Sequence, residues 1–290
     1  MSIAAQLIVN GIIAGAVYAT VAAGFSLIYR VCSFMHFAHG AILAMCAYLF
    51  YALGVKAGLP FWAAILLTLP LSGFIGVASD FLFYRPLRKR KASSAVLLIA
   101  SIALMTFLNS LILAIWGADV KTIPVTNPVF DLFGARVTLI QLVIIGASIV
   151  LLALLYLLMT KTRLGKAMRA VADNKAVAET VGIHPETMYA SAIFVGSVLA
   201  GVSGILLGIE QNLYPAMGFS LTIKGFTGAV IGSLSSVPGA VLGSFILGLI
   251  ENIGIWFLPS GYKDAISFVL LFVFLLFRPQ GLLGKRKREV

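Results

Sequence analysis

Long apolar runs recur from end to end of this 290-residue chain, and polar residues collect in short connectors between them. A helix of about 20 apolar residues crosses the roughly 30 Å of hydrocarbon in a bilayer, so each run predicts a membrane-spanning helix. The clear runs cover residues 3–29, 41–53, 61–84, 95–116, 137–159, 187–209, 238–256 and 265–277, and the connector VCSFMHFAHG precedes the second of them. The pattern predicts an all-α, polytopic transmembrane bundle that forms one domain over residues 1–290.

The stretch 210–237 does not follow this regular pattern. It contains Pro215, Lys224 and several glycines, and it ends in a serine-rich connector. We interpret it as either a broken span or a re-entrant pair of half-helices. The chain is therefore expected to have about nine spans, with eight or ten as alternatives.

Composition agrees with a membrane protein, since hydrophobic residues make up 61% of the chain and charged residues only 11%. A soluble domain would be nearer half apolar and a quarter charged. A net charge of +11 would suggest nucleic acid for a soluble chain, but here the charges follow membrane topology, so we expect the lipid bilayer and no nucleic acid as a partner. Cys32 and Cys46 lie in apolar contexts and are expected to serve packing.

The basic residues predict the orientation of the chain. Sixteen of the 21 Lys and Arg residues lie at Arg30, in the run 85–91, in the loop 161–175 and in the tail from Arg278 onward. The positive-inside rule places these connectors and the C-terminus in the cytosol, and the N-terminus outside. With no basic residue before Arg30, the first helix is expected to be retained and not cleaved as a signal peptide.

The longest polar connector, residues 161–186, predicts two short helices at the membrane surface. Its apolar positions Leu164, Ala167, Met168 and Val171 follow i, i+3, i+4, i+7 spacing, which is typical of one helix face. Its cations Arg163, Lys166 and Arg169 share another face.

A second helix of this connector can be capped by Asp173 or Asn174, and Gly182 suits the position after its end. Pro185 and Glu186 suit the first turn of the next helix. Two readings stay open, a docking feature for a soluble partner or a basic connector that only fixes orientation.

Few residues of the chain suggest catalysis or metal binding. Gly165-Lys166 lacks the remaining residues of a P-loop, so no cofactor is expected on this chain. His36 and His39 share a helical spacing, but no third metal ligand lies near them in sequence, and a polar path lining or a hydrogen-bonded helix start is favoured over a metal site. Asp80 is expected to pair with Arg85, and Glu210 and Glu251 are expected near the outer ends of their spans, in structural roles more than in substrate contact.

Pairs of glycines four residues apart recur along the chain and predict close helix packing. They are Gly11/Gly15, Gly204/Gly208, Gly228/Gly232 and Gly239/Gly243.

Six segments together resemble the permease subunits of branched-chain amino-acid ABC importers over nearly the whole chain. They are NGIIAGAVYATVAAGFSLIY, HFAHGAILAMCAY, FYRPLRKRK, TRLGKAMRAVADNKAVAETVGI, FTGAVIGSLSSVPGAVLGSFILGLIE and RPQGLLG. His36 stands where the family usually has Asn, and Asp80 where Glu is common.

The resemblance implies a transport subunit of a bacterial inner membrane, not an enzyme. It implies a heterodimer with a second permease, two cytosolic ATPase subunits that hold ATP and Mg²⁺, and a periplasmic substrate-binding protein. The ATPase-contacting residues it implies are Arg163, Gly165, Lys166, Met168, Arg169, Asp173, Ala178 and Gly182. The candidate lining of the substrate path is Asn10, Tyr18, Ser26, His36 and His39.

A path lined by apolar and small residues suits branched-chain or other hydrophobic amino acids, with amides, urea or aromatic acids as alternatives. Two other classes of function remain open at this point. One is an ion-coupled secondary transporter that uses Asp80, Glu210 or Glu251, and the other is a membrane enzyme that uses His36 and His39.

Overall fold

A computed structural model describes residues 3–132 and 134–284 of the chain. Its helices in those residues are α1 Ile3–Cys32, α2 Ala38–Tyr51, α3 Phe61–Ser79, α4 Arg85–Lys89, α5 Ser94–Trp116, α6 Leu139–Lys161, α7 Arg163–Asp173, α8 Lys175–Thr180, α9 Pro185–Gln211, α10 Met217–Gly232, α11 Val237–Gly254 and α12 Lys263–Phe277. Single π-helical turns at Ala52–Lys56 and Asp80–Tyr84 continue α2 and α3, and a 3₁₀ turn at Ser260–Tyr262 precedes α12. The basic tail 285–290 used in the orientation prediction lies outside the described residues.

The predicted polytopic helical bundle is confirmed. Within the described residues, seven helical segments are long and apolar enough to cross a membrane, and α3 with its π turn and α4 counts as one of them. The apolar helices α10, with 16 residues, and α12, with 15, are shorter. The count of about nine spans and the sides of the two termini stay predictions.

Two stretches between the long helices have structure that the apolar pattern does not predict. The loop before α6 contains a two-stranded antiparallel hairpin, β1 Val129–Leu132 and β2 Ala135–Thr138. Gly134 in its turn has a φ of 82°, a left-handed conformation that suits glycine. The stretch 210–237 forms the single continuous helix α10 with a short connector on each side, and not a re-entrant pair of half-helices.

The contacts group the chain into two compact units, and each is built from separate stretches of sequence. Unit 1 takes in the described residues of 1–26, 125–151 and 223–290, and unit 2 takes in Leu27–Pro124 and Leu152–Thr222. The single transmembrane domain and the boundaries of the loop 161–186 stay predictions.

Unit 2 is built around α2, which packs against α3, α5 and α9. Nearly every residue of α2 is buried, as expected for a helix that is apolar on all sides. Gly204 of α9 lies against the backbone carbonyl of Leu43, and Gly201 lies against Cys46 and Ser72. The prediction that Cys46 serves packing agrees with its full burial.

Unit 1 depends on glycines where its helices meet. Gly11 and Gly15 of α1 lie against Leu249 and Phe245 of α11, so the predicted GxxxG face is confirmed. A Cβ atom built on Gly243 of α11 would collide with the backbone of Gly228 and Gly232 in α10. Backbone contact this close is possible only for residues without a side chain.

The RPQGLLG segment after α12 completes the end of α10. The N–H groups of Leu282 and Leu283 donate to the carbonyls of Ile231 and Gly232, each at 2.8 Å. The last carbonyls of a helix have no partner within the helix itself. The segment therefore satisfies acceptors that the hydrocarbon of a membrane would leave unpaired.

A cluster of charged and polar residues around Lys224, called the Lys224 cluster, joins four helices of unit 1. The ammonium of Lys224 on α10 lies 3.0 Å from a carboxylate oxygen of Asp264 on α12 and 3.5 Å from Glu251 on α11. Tyr18 on α1 donates to the same Glu251 oxygen at 2.9 Å, and Lys224 donates to the Tyr18 hydroxyl at 3.2 Å. Ser267 donates to the other oxygen of Glu251. Glu251 is 0% exposed, so its carboxylate contacts these partners and not solvent.

Removing the cation of this cluster is expected to destabilise the fold. Lys224→Gln leaves the buried carboxylate of Glu251 without its ion-pair partner, which costs about 3 kcal/mol or more. Unfolding of the purified chain in mild detergent measures the change. Lys121→Gln is the matched control, since it removes a cation whose partner Asp119 is exposed, and it is expected to cost under about 1 kcal/mol. An equal effect of the two variants would contradict the buried-pair account, as would additive effects when Glu251→Gln is combined with Lys224→Gln.

Adding one methyl group between α10 and α11 is also expected to be destabilising. Gly243→Ala forces the two backbones apart and is expected to lower the free energy of unfolding by about 1–3 kcal/mol. Gly146→Ala is the matched control, because a Cβ atom there meets nothing within 4 Å, and helix propensity favours alanine by about 1 kcal/mol. Thermal unfolding in detergent compares the two variants. If the Gly243→Ala and Gly146→Ala variants unfold at the same temperature, the contact between α10 and α11 is too loose to support this account.

Candidate functional site

The connector 161–186 folds into α7 and α8 within unit 2, as predicted from the sequence. Thr162 caps α7, since its hydroxyl accepts the N–H of Gly165 at 3.0 Å and donates to the carbonyl of Leu158 at 2.6 Å. Gly165 lies against the backbone of Leu158 and Met159 at the end of α6, where a Cβ atom would collide. The short first helix is therefore attached directly to the end of a membrane-spanning helix.

The apolar stripe predicted for α7 is correct only in part. Met168 and Val171 are buried, but Leu164 is exposed and Gly165 takes the buried position beside it. The reason is the close approach to α6, which needs a residue without a side chain at 165. Sequence spacing alone could not show this, because glycine carries no hydrophobic signal.

The second helix has the ends that the sequence predicted. The Asn174 side chain accepts the N–H of Val177 at 3.1 Å, so Asn174 and not Asp173 is the cap. Gly182 has a φ of 84° after the helix end, as its predicted position requires. Ala178 is buried, whereas Val177 and Val181 are 58% and 70% exposed. The pair of short helices thus presents apolar side chains outward.

The polar residues of α7 that are predicted to contact an ATPase are either exposed or half-buried. Arg163, Lys166 and Asp173 are exposed. Arg169 is half-buried, and its Nε is buried without a hydrogen-bond partner among the described residues. Their role in binding a partner stays a prediction.

The helix that follows this connector begins with an ion-pair cluster. Pro185 opens α9 as predicted, and Glu186 in the next position pairs with Arg88, whose Nη2 lies 2.7 Å from Glu186 Oε2. Arg88 also contacts both oxygens of Asp80, at 2.7 and 3.1 Å. The prediction that Asp80 pairs with Arg85 is wrong. The π-helical turn between them alters the register, and Arg88, two turns on, reaches the carboxylate.

His36 lies in the connector between α1 and α2, and His39 lies in the first turn of α2. His36 Nδ1 lies 2.9 Å from the hydroxyl of Tyr84, and both side chains are buried. Burial lowers the pKa of His36 to about 3, and the neighbouring His39 acts in the same direction, so His36 is neutral at physiological pH. The two roles predicted for the histidines, a path lining or a hydrogen-bonded helix start, stay predictions, since the His36 ring contacts Tyr84 and does not cap the first turn of α2. The part of the chain that the structure describes contains no group of three or more His, Cys, Asp or Glu residues able to hold a metal ion.

The other candidate path residues lie on α1, in unit 1. Asn10 accepts from the Gln6 side chain at 3.0 Å, and Ser26 donates to the carbonyl of Leu234 at 2.9 Å. Tyr18 belongs to the Lys224 cluster. Eight residues separate each from the next, about 12 Å along a helix, so they do not form one site. Their role in a path stays a prediction.

The Lys224 cluster is the part of the polar interior that sequence reasoning missed. The sequence analysis predicts a structural role for Glu251 near the end of its span but no partner for it or for Lys224, and the structure shows that the Glu251 carboxylate is fully buried beside Lys224. The signal was available in principle, since a lysine and a glutamate in neighbouring apolar helices are expected to pair.

Comparison with known proteins identifies the family. The family described as branched-chain amino acid transport system, permease component, matches residues 7–275. The branched-chain amino acid permease BraD of Pseudomonas aeruginosa is 31% identical over 98% of this chain and 97% of its own. LivH of Escherichia coli K12 is 31% identical over 98% and 96%, and the probable LivH of Methanocaldococcus jannaschii is 29% identical over 91% and 87%.

A solved structure supports the fold independently of close sequence similarity. PsaBC from Streptococcus pneumoniae, in complex with a Fab, aligns with a TM-score of 0.52 over 93% of this chain and 91% of that chain, at 14% identity. Seven apolar helices among the described residues and permease relatives over nearly the full length make this a multi-pass inner-membrane protein. The chain belongs to the family of permease components of branched-chain amino acid transport systems.

Proposed function

We propose that this chain is one of two permease subunits of an ABC importer and performs no covalent chemistry. A second, related permease completes the translocation path, and a periplasmic binding protein delivers the substrate. Two cytosolic ATPase subunits hold ATP and Mg²⁺ and bind the segment 161–186. The observation that carries this proposal is the full-length similarity to branched-chain amino acid permeases, combined with the outward-facing short helices α7 and α8.

The surface chemistry of α7 and α8 suits a soluble partner. Val177 and Val181 expose apolar area beside a helix that carries three cations. Apolar anchors surrounded by charged groups are the usual composition of a specific interface.

The proposed cytosolic side of this segment rests on where the basic residues meet. Arg88, from the basic run 85–91, contacts Glu186 at the end of the segment 161–186, so the two basic stretches lie at the same end of unit 2. The positive-inside rule assigns such an end to the cytosol, where ATPases are found.

The proposed substrates are branched-chain or other hydrophobic amino acids. Support comes from the names of the relatives that span nearly the whole chain. A relative over 44% of the chain, from Yersinia pestis, is named a permease of autoinducer 2 import, so the test of the substrate includes other small solutes.

The contacts of the buried carboxylates favour this proposal over an ion-coupled secondary transporter. A coupling carboxylate has to change its protonation or bind an ion during transport. Asp80 is held by Arg88, and Glu251 by Lys224, Tyr18 and Ser267. Both groups have the fixed partners of structural ion pairs.

Uptake by the reconstituted complex tests the proposed function. The test uses liposomes that contain this chain, its second permease and the ATPases, with the ATPases on the luminal side. They are expected to accumulate radiolabelled leucine only when ATP is enclosed in the lumen and the binding protein is present outside. Replacing leucine by urea, an amide or an aromatic acid then identifies the solute class.

Uptake into liposomes that contain this chain alone would contradict the proposal. So would accumulation driven by an ion gradient without ATP. Uptake of another solute in place of leucine would overturn the substrate assignment and leave the ABC mechanism standing.

The docking role of α8 predicts a specific defect. Val177→Asp/Val181→Asp places two carboxylates in the proposed interface and is expected to abolish co-purification of the ATPases, because unpaired charges are costly in a buried contact. Val120→Asp/Val125→Asp is the matched control, since both valines are exposed in the loop after α5. Retention of the ATPases by the Val177/Val181 variant would place the interface elsewhere.

A further inference from the structure

The guanidinium group of Arg88 holds two carboxylates at once. Its Nη1 and Nη2 contact the two oxygens of Asp80, and its Nε and Nη2 contact those of Glu186 at 3.3 and 2.7 Å. The centre of the Tyr189 ring lies 4.9 Å from the guanidinium carbon of Arg88. The Asp80 side chain is only 3% exposed and that of Arg88 10%, whereas that of Glu186 is 34% exposed.

These contacts join two parts of unit 2 that are distant in sequence. Glu186 is the last residue of the proposed ATPase-binding segment 161–186 and lies in the first turn of α9, and α7 packs on the same helix. Asp80 begins the π-helical turn Asp80–Tyr84, and Tyr84 at its end contacts His36 in the connector between α1 and α2. The contacts of Arg88 and the contact of Tyr84 with His36 therefore connect the proposed coupling segment to a candidate path residue, and the backbone of the Asp80–Tyr84 turn joins the two sets of contacts.

The contacts of Arg88 form a junction between the Asp80–Tyr84 turn and the first turn of α9, and their geometry leaves the two turns little freedom to move relative to each other. Paired N–H donors on planar carboxylates fix orientation as well as distance, which a lysine ammonium cannot do. Because the Asp80 end is buried, salt and water weaken the ion pair little. π-helical turns inside α-helices occur frequently at functional sites.

We propose that Arg88 is a positioning residue that holds the first turn of α9 and the Asp80–Tyr84 turn together as one body. Displacement of α7 and α8 by the ATPases then reaches the His36 connector through Arg88 and not through the apolar packing of α9 alone. This inference rests on the proposed function, because it needs an ATPase that moves the coupling segment.

Transport per ATP hydrolysed in the reconstituted complex tests the inference. Asp80→Asn removes the buried charge at a position that an ATPase cannot touch, so ATP hydrolysis is expected to continue. The amount of substrate imported per ATP is expected to fall about ten-fold, which corresponds to the free energy of one hydrogen bond to a charged group. Asp80→Glu keeps the carboxylate and is expected to retain most of the coupling. Asp119→Asn, which neutralises an exposed carboxylate in the same unit, is the matched control and is expected to behave as wild type.

A distance measurement tests the junction without relying on a destabilised variant. Spin labels on Lys89→Cys and Thr187→Cys, both at exposed positions, report the separation of α4 and α9 in the complete complex. The distance is expected to be the same with and without bound ATP analogue in the wild-type background, and to become nucleotide-dependent with Asp80→Asn.

Several results would overturn the role of Arg88. A nucleotide-dependent distance in the wild-type background would show that the junction opens, whether or not the Asp80→Asn complex assembles. An unchanged distance with Asp80→Asn, or normal import per ATP, would show that the ion pair is dispensable. A complex without ATPases, or uptake without ATP, would instead refute the proposed function.

Discussion

Hydrocarbon offers no hydrogen-bond partner to a carboxylate or an ammonium group, so each polar side chain within a span has to find its partner inside the protein. This constraint accounts for the two charged clusters. In unit 1, Glu251 is enclosed by Lys224, Tyr18 and Ser267. In unit 2, Arg88 engages Asp80 and Glu186. Each cluster joins helices that apolar packing alone would leave free to slide.

Close backbone packing is the second consequence of the same solvent. Lipid tails are as apolar as leucine side chains, so moving a leucine from lipid into a helix contact gains no hydrophobic free energy. Helices in a membrane therefore associate through close van der Waals packing. Gly243 lets α10 and α11 touch, and Gly165 lets α7 lie on the end of α6. The second contact is functional in our account, since it places the short helices where a soluble partner can push against a spanning helix.

Sequence reasoning located most of the helices to within a few residues, because apolar runs bounded by charge define spans without reference to tertiary structure. It also predicted the cap Asn174, the left-handed Gly182 after the end of α8 and Pro185 in the first turn of α9, which follow from local backbone chemistry. It failed where the outcome depends on distant residues. Asp80 pairs with Arg88 because a π turn changes the register, and Lys224 meets Glu251 only once α10 and α11 pack. The hairpin at 129–138 could not be predicted from the pattern, since two four-residue strands are too short for a clear alternation of apolar and polar residues.

Coupling to an ATPase requires that the segment 161–186 face the cytosol, where the ATPase can reach it. A single cysteine at the exposed position Ala176, treated with a membrane-impermeant maleimide, measures this directly, because Cys32 and Cys46 are buried. We predict labelling in inverted membrane vesicles and none in intact spheroplasts. Labelling in intact spheroplasts would place the segment on the periplasmic side and contradict the coupling mechanism.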